Sequence, residues 1–544
     1  MSSHLTSKSC NNSVAYINGR VHTVCEAQPS AEAFIVSPEG LFAAVGNNAD
    51  IFAIAKEHGL ATFDLRSRFV MPGIHDAHMH FLMAGLAQLN EAKLEYGVTA
   101  DDIAAKLRDG QCACHYGNVY GDWLVANMYY NEGFPDSKPD RKYLDREFPD
   151  TPVMVRGGAC HSMYLNTNAL TAAGYNVDGE DDSHGGRYVR RDDGALTGEL
   201  FDTAISRASL ALPKPSLAHV KRALKHSMGA AHAAGVTSCQ EASSNTLLLH
   251  ALRELENEGA LKFDFATHIV HNGAWISGDS KETSQALIDT AEKFESKHVD
   301  TRFVKMFIDG VPLELLHTHC GLDERGQPEM HKITTNDYRE AILEYDSRGL
   351  TCKIHCTGEG GTRLALDAFE EARKRNPNGP RHEIAHCNGV HDVDYKRFKE
   401  LNVTAEMSPA MFFSHPVTKS NPLMDWNFPK MREADAFLTI GSDWGVPPDP
   451  NLLPYLTYVA EQVGGTDSKG FEAGSRETGA RVVIEMLTLN GAKAVGREKD
   501  VGSIEVGKKA NFIAVDRDLA KGEFEGAKVV GTWFEGELVW DNLV

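Results

Sequence analysis

The chain has 544 residues, a formal net charge of −21 and 42% hydrophobic residues, which suits a globular protein too long for one simple core. The acidic balance argues against nucleic acid, because phosphate binding needs a basic surface. No apolar run of about eighteen residues occurs, so no membrane partner is expected, and the polar start MSSHLTSKSCNNS lacks a signal peptide's apolar core.

In chain order, residues 12–68 read as short strands and turns, with "NGR" and "PEG" as turn signals in AYINGRVHTV and AEAFIVSPEGLFAAVG. The far end, GSIEVGKKANFIAVD and AKVVGTWFEGELVW, has the same character. Residues 1–69 and 497–544 are therefore expected to pair into one composite β-sandwich. Between them, residues 70–496 alternate apolar strands with helical stretches, the mark of a parallel α/β core. The strands are FVMPGIHDAHMHF, VTSCQEA, FDFATHIV, RFVKMFI, CKIHC, HEIAHC, VTAEMS and AFLTIGSDW. Eight such steps predict a closed (β/α)8 TIM barrel, with active groups at the C-terminal strand ends. Residues 90–215 fit no such step. They read as an insertion after strand one, made of Gly-, Asp- and Pro-rich loops around the strand PVMVRGG.

Polar residues collect at those strand ends. His78 and His80 are two apart, so in a strand both rings share a face. Strand four carries Lys305 among apolar neighbours; strands five and six end at His355 and His386, and strand eight at Asp443. A lone strand-end histidine reads as core or surface, and a lone aspartate there reads as a helix cap. A lysine inside an apolar strand is harder to dismiss, since burying it is costly unless it is paired or altered. Together, four imidazoles and a carboxylate suit zinc or a similar divalent metal. Cys356 and Cys387, each next to a histidine, should face the helices as packing residues. Cys112, Cys114 and His115 make half a zinc pattern with no second pair, and read as non-ligating. The ten cysteines form no disulfide framework and fit a reducing cytoplasm.

With "MPGIHDAHMHF", "FVKMFIDG", "IHCTGEGGTRLALDAFE", "RHEIAHC" and "IGSDWG" in that order, the chain resembles the amidohydrolase superfamily, on the branch that includes N-substituted formamide deformylases. The resemblance implies the barrel with its flanking sandwich. It also implies metal ligands His78, His80, Lys305, His355, His386 and Asp443, with Lys305 carboxylated by carbon dioxide so that its carbamate bridges two divalent metals, zinc by default. The sequence departs from the family where Gly358, Glu359, Gly360 and Gly361 replace a frequent Gly-Asp-Arg-Ala, where VPLELLHTHC follows Asp309 and Gly310, and at Asn511.

The expected activity is hydrolysis of an amide, formamide or lactam C–N bond of a small molecule, through a metal-activated hydroxide. Asp443 is the expected general base, returning the water's proton to the leaving nitrogen. His161, in "GGACHSMYLNTNAL", resembles a site-facing position of the branch and is assigned to catalysis through substrate binding or oxyanion stabilisation. Trp444, with Phe412, Phe413 and His415, is a candidate pocket wall. Rival readings are a metal-dependent decarboxylase or isomerase on the same barrel, or a non-catalytic metalloprotein. A homodimer is compatible with the sequence.

Overall fold

The computed structural model describes residues 12–113, 119–312, 317–410, 426–464 and 476–543. Eight consecutive parallel strands form its central sheet. They are β1 (Ile74–Met79), β2 (Val236–Ser244), β3 (Asp264–Val270), β4 (Val299–Phe307), β5 (Thr351–Cys356), β6 (Glu383–His386), β7 (Thr404–Met407) and β8 (Phe437–Ile440). These are the eight expected strands. The β1 and β8 edges meet only at their C-terminal ends, where Asp443 N donates to His78 O and His80 N to Trp444 O, both at 2.8 Å. The seam that closes the barrel therefore passes through four of the residues singled out in the sequence.

Helices cover the barrel for the reason their spacing predicts. Leu217–Ala233 is N-capped by Ser216, whose side chain accepts from His219 N. Its buried face carries Val220, Ala223, Leu224, Ser227 and Ala231, a three-to-four residue period. It lies so close to the helix Phe81–Asn90 that Ser227 Oγ donates to Phe81 O at 2.9 Å. Cys356 and Cys387 are buried in the apolar layer between sheet and helices, as the face argument expects.

Both chain ends contribute to two further sheets. One joins Phe42–Gly46, Ala33–Val36, Val14–Ile17 and Ala61–Asp64; the other joins C-terminal strands, among them Phe512–Val515, to Phe69–Pro72 and Arg20–His22. Between them Phe512 stacks on Trp533 at 4.5 Å, and Tyr16, Phe34 and Phe42 complete the aromatic core.

Three local differences from the sequence reading stand out. Phe69–Pro72, expected as the head of barrel strand one, pairs antiparallel with Phe512–Val515 instead. Gly73 makes the change of sheet possible, because a Cβ there would stand 2.3 Å from Thr237 Oγ1. The segment read as all strands also contains a helix, Asn48–His58, capped by the Asn47 side chain and ended by Gly59 at φ 63. The inserted region is more than loops around one strand. It holds a six-stranded mixed sheet in the order Gly186–Arg190, Leu196–Asp202, Ser162–Leu165, Val153–Gly157, Leu124–Tyr129, Ala92–Lys93. Its strands are short and half polar, so their pairing is set by neighbours rather than by local pattern.

Candidate metal centre

At the C-terminal mouth of the barrel, His78, His80, Lys305, His355, His386 and Asp443 are all buried. The rings of His78 and His386 lie 4.7 Å apart, those of His355 and His386 4.6 Å, and those of His78 and His80 5.5 Å. Lys305 Nζ reaches His78 Nε2 at 3.3 Å and sits 4.8 Å from the Phe307 ring centre. Two of the six, His386 at φ 78 and Asp443 at φ 55, hold the left-handed backbone that ordinary residues avoid. Such strain persists only where surrounding structure enforces it, and it clusters at working sites.

Hydrogen bonds behind the rings settle which nitrogen of each faces the centre. His78 Nδ1 meets the Glu406 carboxylate at 2.8 Å, so Nδ1 carries the proton and Nε2 a lone pair. Ser243 Oγ donates to Glu241 at 2.8 Å, so it accepts from His80 Nδ1 at 2.9 Å. Ser408 Oγ donates to Glu406 at 2.7 Å and accepts from His386 Nδ1 at 3.2 Å. His355 is reversed: Nε2 donates to Gly310 O at 2.9 Å, which leaves the lone pair on Nδ1. Two buried glutamates thus fix three of the four rings with a lone pair on Nε2.

Burial, with Lys305 and neighbouring rings adding to it, holds His78 well below the usual imidazole range. The same cause, together with His386 and His161, does this for His355, and burial brings His386 down to about 3. These three rings are neutral at pH 7. Burial also lowers Lys305 to about 7, with the nearby Lys353 adding to the effect. Burial works against the Asp443 carboxylate, but His80, His386 and Lys305 outweigh it and hold the group below the usual carboxylate range.

This donor set fits a cation. Ligand atoms of His78, His80 and Asp443 all lie within 4.8 Å of one another. Asp443 Oδ1 stands 3.2 Å from His80 Nε2 and 3.6 Å from His78 Nε2, yet accepts no hydrogen bond. An ionised oxygen and two ring nitrogens converging this closely need positive charge among them, from a proton or from a metal ion. His78, His386 and Glu406 form a second group of the same size. There Glu406 faces His78 Nδ1, the nitrogen turned from Asp443, so we read it as support for the rings.

His161 stands beside this centre, its ring 4.8 Å from that of His355. Its Nδ1 bonds Asp202 at 2.7 Å, so Nε2 carries the lone pair. Cys160 at φ 62 and Asp202 at φ 48 brace this pair with strained backbone. His161 lines a narrow cleft with His80, His355, His386 and Asp443. Trp444 does not line it: the indole is fully buried against Phe81, its ring 5.8 Å away, and borders a neighbouring cleft. Phe412, Phe413 and His415 lie outside the described residues, as do Cys114 and His115 and the side chain of Cys112.

Sequence reading missed Glu241, Glu406, Asp202 and Asp309. Glu406 had a signal, an acid inside the apolar strand VTAEMS, which is the argument that singled out Lys305. Asp309 accepts from the backbone N–H groups of Cys320, Thr357 and Gly358 at 2.8–3.0 Å. It ties together the two loops whose sequences depart from the family. A Cβ on Gly358 would stand 2.0 Å from Cys320 O, so the glycine-rich turn is what lets the Cys320 segment pack there.

A parallel eight-stranded α/β barrel with neutral histidines, a lysine and an ionised aspartate converging at its mouth defines a metal-dependent hydrolase. The sequence pattern of the amidohydrolase family matches residues 61–540, and the chain belongs to that family. It is 23% identical over 552 residues to the N-substituted formamide deformylase of Arthrobacter pascens, covering 97% of this chain and 98% of that one. Among solved structures, an uncharacterized metal-dependent hydrolase from Pyrococcus horikoshii OT3 superposes with a TM-score of 0.68 at 20% identity, over 94% of this chain and 99% of that one. A zinc-bound adenosine deaminase from Xanthomonas campestris does so with a TM-score of 0.53 at 13% identity, over 97% of this chain and 93% of that one. Both structural likenesses are of fold.

Proposed function

We propose that the protein hydrolyses a C–N bond of a small amide, formamide or lactam at a centre of two divalent ions, zinc by default, held by His78, His80, Lys305, His355, His386 and Asp443. The observation that carries this reading is the convergence of ring lone pairs on Asp443 Oδ1, an ionised oxygen that accepts no hydrogen bond. Six donors exceed what one tetrahedral ion takes. Divalent cations held there supply Lewis acidity and make water a stronger acid.

The chain's own residues do the rest. Asp443, ionised at neutral pH, takes a proton from the attacking water and delivers it to the leaving nitrogen. His161 faces the acyl oxygen through Nε2, and donation from Nε2 to developing negative charge requires a second proton on the ring taken up from solvent, a form that the Asp202 carboxylate on Nδ1 favours. Lys305, desolvated and lowered to about 7, offers the neutral amine that adds to carbon dioxide. The new N–C bond forms as one C–O π bond of carbon dioxide opens and the nitrogen loses a proton to solvent, giving a carbamate whose single negative charge is shared by two oxygens.

Among the described residues the seven cysteines are all unpaired, which supports a reducing, cytoplasmic setting. No helix among those residues is long and apolar enough to cross a membrane.

The test is turnover by zinc-loaded protein of N-formyl amines, N-acyl amino acids and cyclic amides in oxygen-18 water. Hydrolysis places solvent oxygen in the new carboxyl group. Product without that label points to the decarboxylase or isomerase reading instead.

A further inference from the structure

A second cleft adjoins the metal cleft and shares Cys160 and Val446 with it as a common wall. The helix Phe81–Asn90, the inserted sheet and the segment Trp444–Pro448 enclose it. Its walls are apolar: Met83, Met128, Trp444, Val446 and Pro447. At its polar end stands Arg156, whose side chain keeps 21% of its surface. Arg156 donates through Nη2 and Nε to Glu91 at 3.2 and 3.4 Å. Tyr120 Oη and Asn127 Nδ2 donate to the same carboxylate at 3.1 and 3.2 Å. Glu91 is thereby saturated, and the guanidinium is held in place before any ligand arrives.

The charged residues of this cleft are Arg156, Lys93 and Glu91, a local balance of one positive charge on a chain of −21. Gln88 Nε2 clamps the rim by donating to Pro448 O at 3.1 Å. Met128, at φ 75, and Cys160, at φ 62, hold strained backbone on its lining. A fixed guanidinium at the end of an apolar channel is a recognition element for a carboxylate. Lys93, which carries the surplus charge, is exposed at the rim, so the directed donors are those of the Arg156 guanidinium.

We propose that this cleft is a substrate subsite for a carboxylate at the far end of an apolar body, whose amide end lies toward the adjoining metal cleft, on the side of Cys160 and Val446. The subsite rests on the hydrolase reading only in calling its occupant a substrate.

Calorimetry of the zinc-loaded protein with 4-phenylbutanoate and its neutral amide tests the proposal without turnover. The acid should bind about ten- to a hundredfold tighter than the amide, the range for a charge-assisted hydrogen bond. In Glu91→Gln/Arg156→Gln, where both partners of the buried pair are neutralised together, the ratio should fall to about one. Ala87→Trp, which fills the cleft without altering charge, should abolish tight binding of the acid. Equal binding of the two probes to the unaltered protein overturns the proposal. So does a preference that survives the double variant, because the acid then sits on the metal ions. If the double variant does not fold, acid binding retained in Ala87→Trp overturns it alone. Hydrolysis of 6-(formylamino)hexanoate, whose carboxylate and amide stand at opposite ends of an apolar chain, followed separately, distinguishes the two readings. Selective binding with no amide turned over keeps the subsite and sinks the chemistry; turnover without selectivity does the reverse.

Discussion

The sandwich built from the chain ends and the mouth of the barrel are equally buried, and burial means opposite things in the two. Around Trp533 and Phe512, at most 1% exposed and stacked 4.5 Å apart, the side chains taken from water are mainly apolar and burial stabilises directly. At the mouth the buried groups are imidazoles, two glutamates, a lysine and an aspartate, and burial alone would penalise each charged form. The mouth is sustained by relays through Ser243, Ser408, Glu241 and Glu406, and a cation would relieve the repulsion among the electron-rich groups that converge there. A substitution in the sandwich should therefore change how well the protein folds, and one at the mouth should change what the folded protein binds and does.

Asp443→Asn gives the largest expected contrast. Turnover should fall about two to four powers of ten, the usual scale for losing a general acid–base, while the melting temperature stays close to that of the unaltered protein. Steady-state kinetics beside a thermal melt check it, and a variant that keeps most of its kcat moves the proton shuttle to His161. The opposite arm is Trp533→Ala, which should lower stability by about 3–5 kcal/mol while the folded fraction keeps its kcat. Denaturant unfolding reads the first and active-site titration the second; a collapse of kcat in the folded fraction would show that the two regions are coupled.

Glu406→Gln removes the carboxylate behind His78 and sharpens the comparison further. Metal affinity should weaken about ten- to a hundredfold, as for other partners that orient a ligating histidine, with little change in stability. Competition with a chelator measures it, and unaltered affinity would reduce Glu406 to a packing role.

The smallest effect concerns pH. Burial lowers Lys305 to about 7, so in metal-free protein the ammonium dominates below that pH and the amine above it. Only the amine adds to carbon dioxide, so reconstitution at fixed dissolved carbon dioxide should speed up roughly tenfold from about pH 6 to about pH 8. A rate that falls with pH, or Lys305→Ala that still holds metal, would remove the carbamate from the account.

The sequence by itself determined the barrel and the six residues at its mouth, because strand periodicity and chain order are local properties. Eight apolar runs separated by helical stretches admit few closed arrangements, and a parallel barrel carries the end of every strand to one rim. Lys305 was legible for the same reason, as a charge in an apolar strand. Only the tertiary structure decided what stands behind and beside those residues. Glu241 and Glu406 reach their rings from other strands, and Asp202 reaches His161 across the inserted sheet. Phe69–Pro72 leaves the barrel for a partner more than four hundred residues away. Trp444 follows Asp443, but the turn that closes the barrel carries its indole away from the metal cleft, against Phe81 and beside the neighbouring cleft. Pairings across the chain depend on which groups can satisfy one another in space, and no local pattern encodes that.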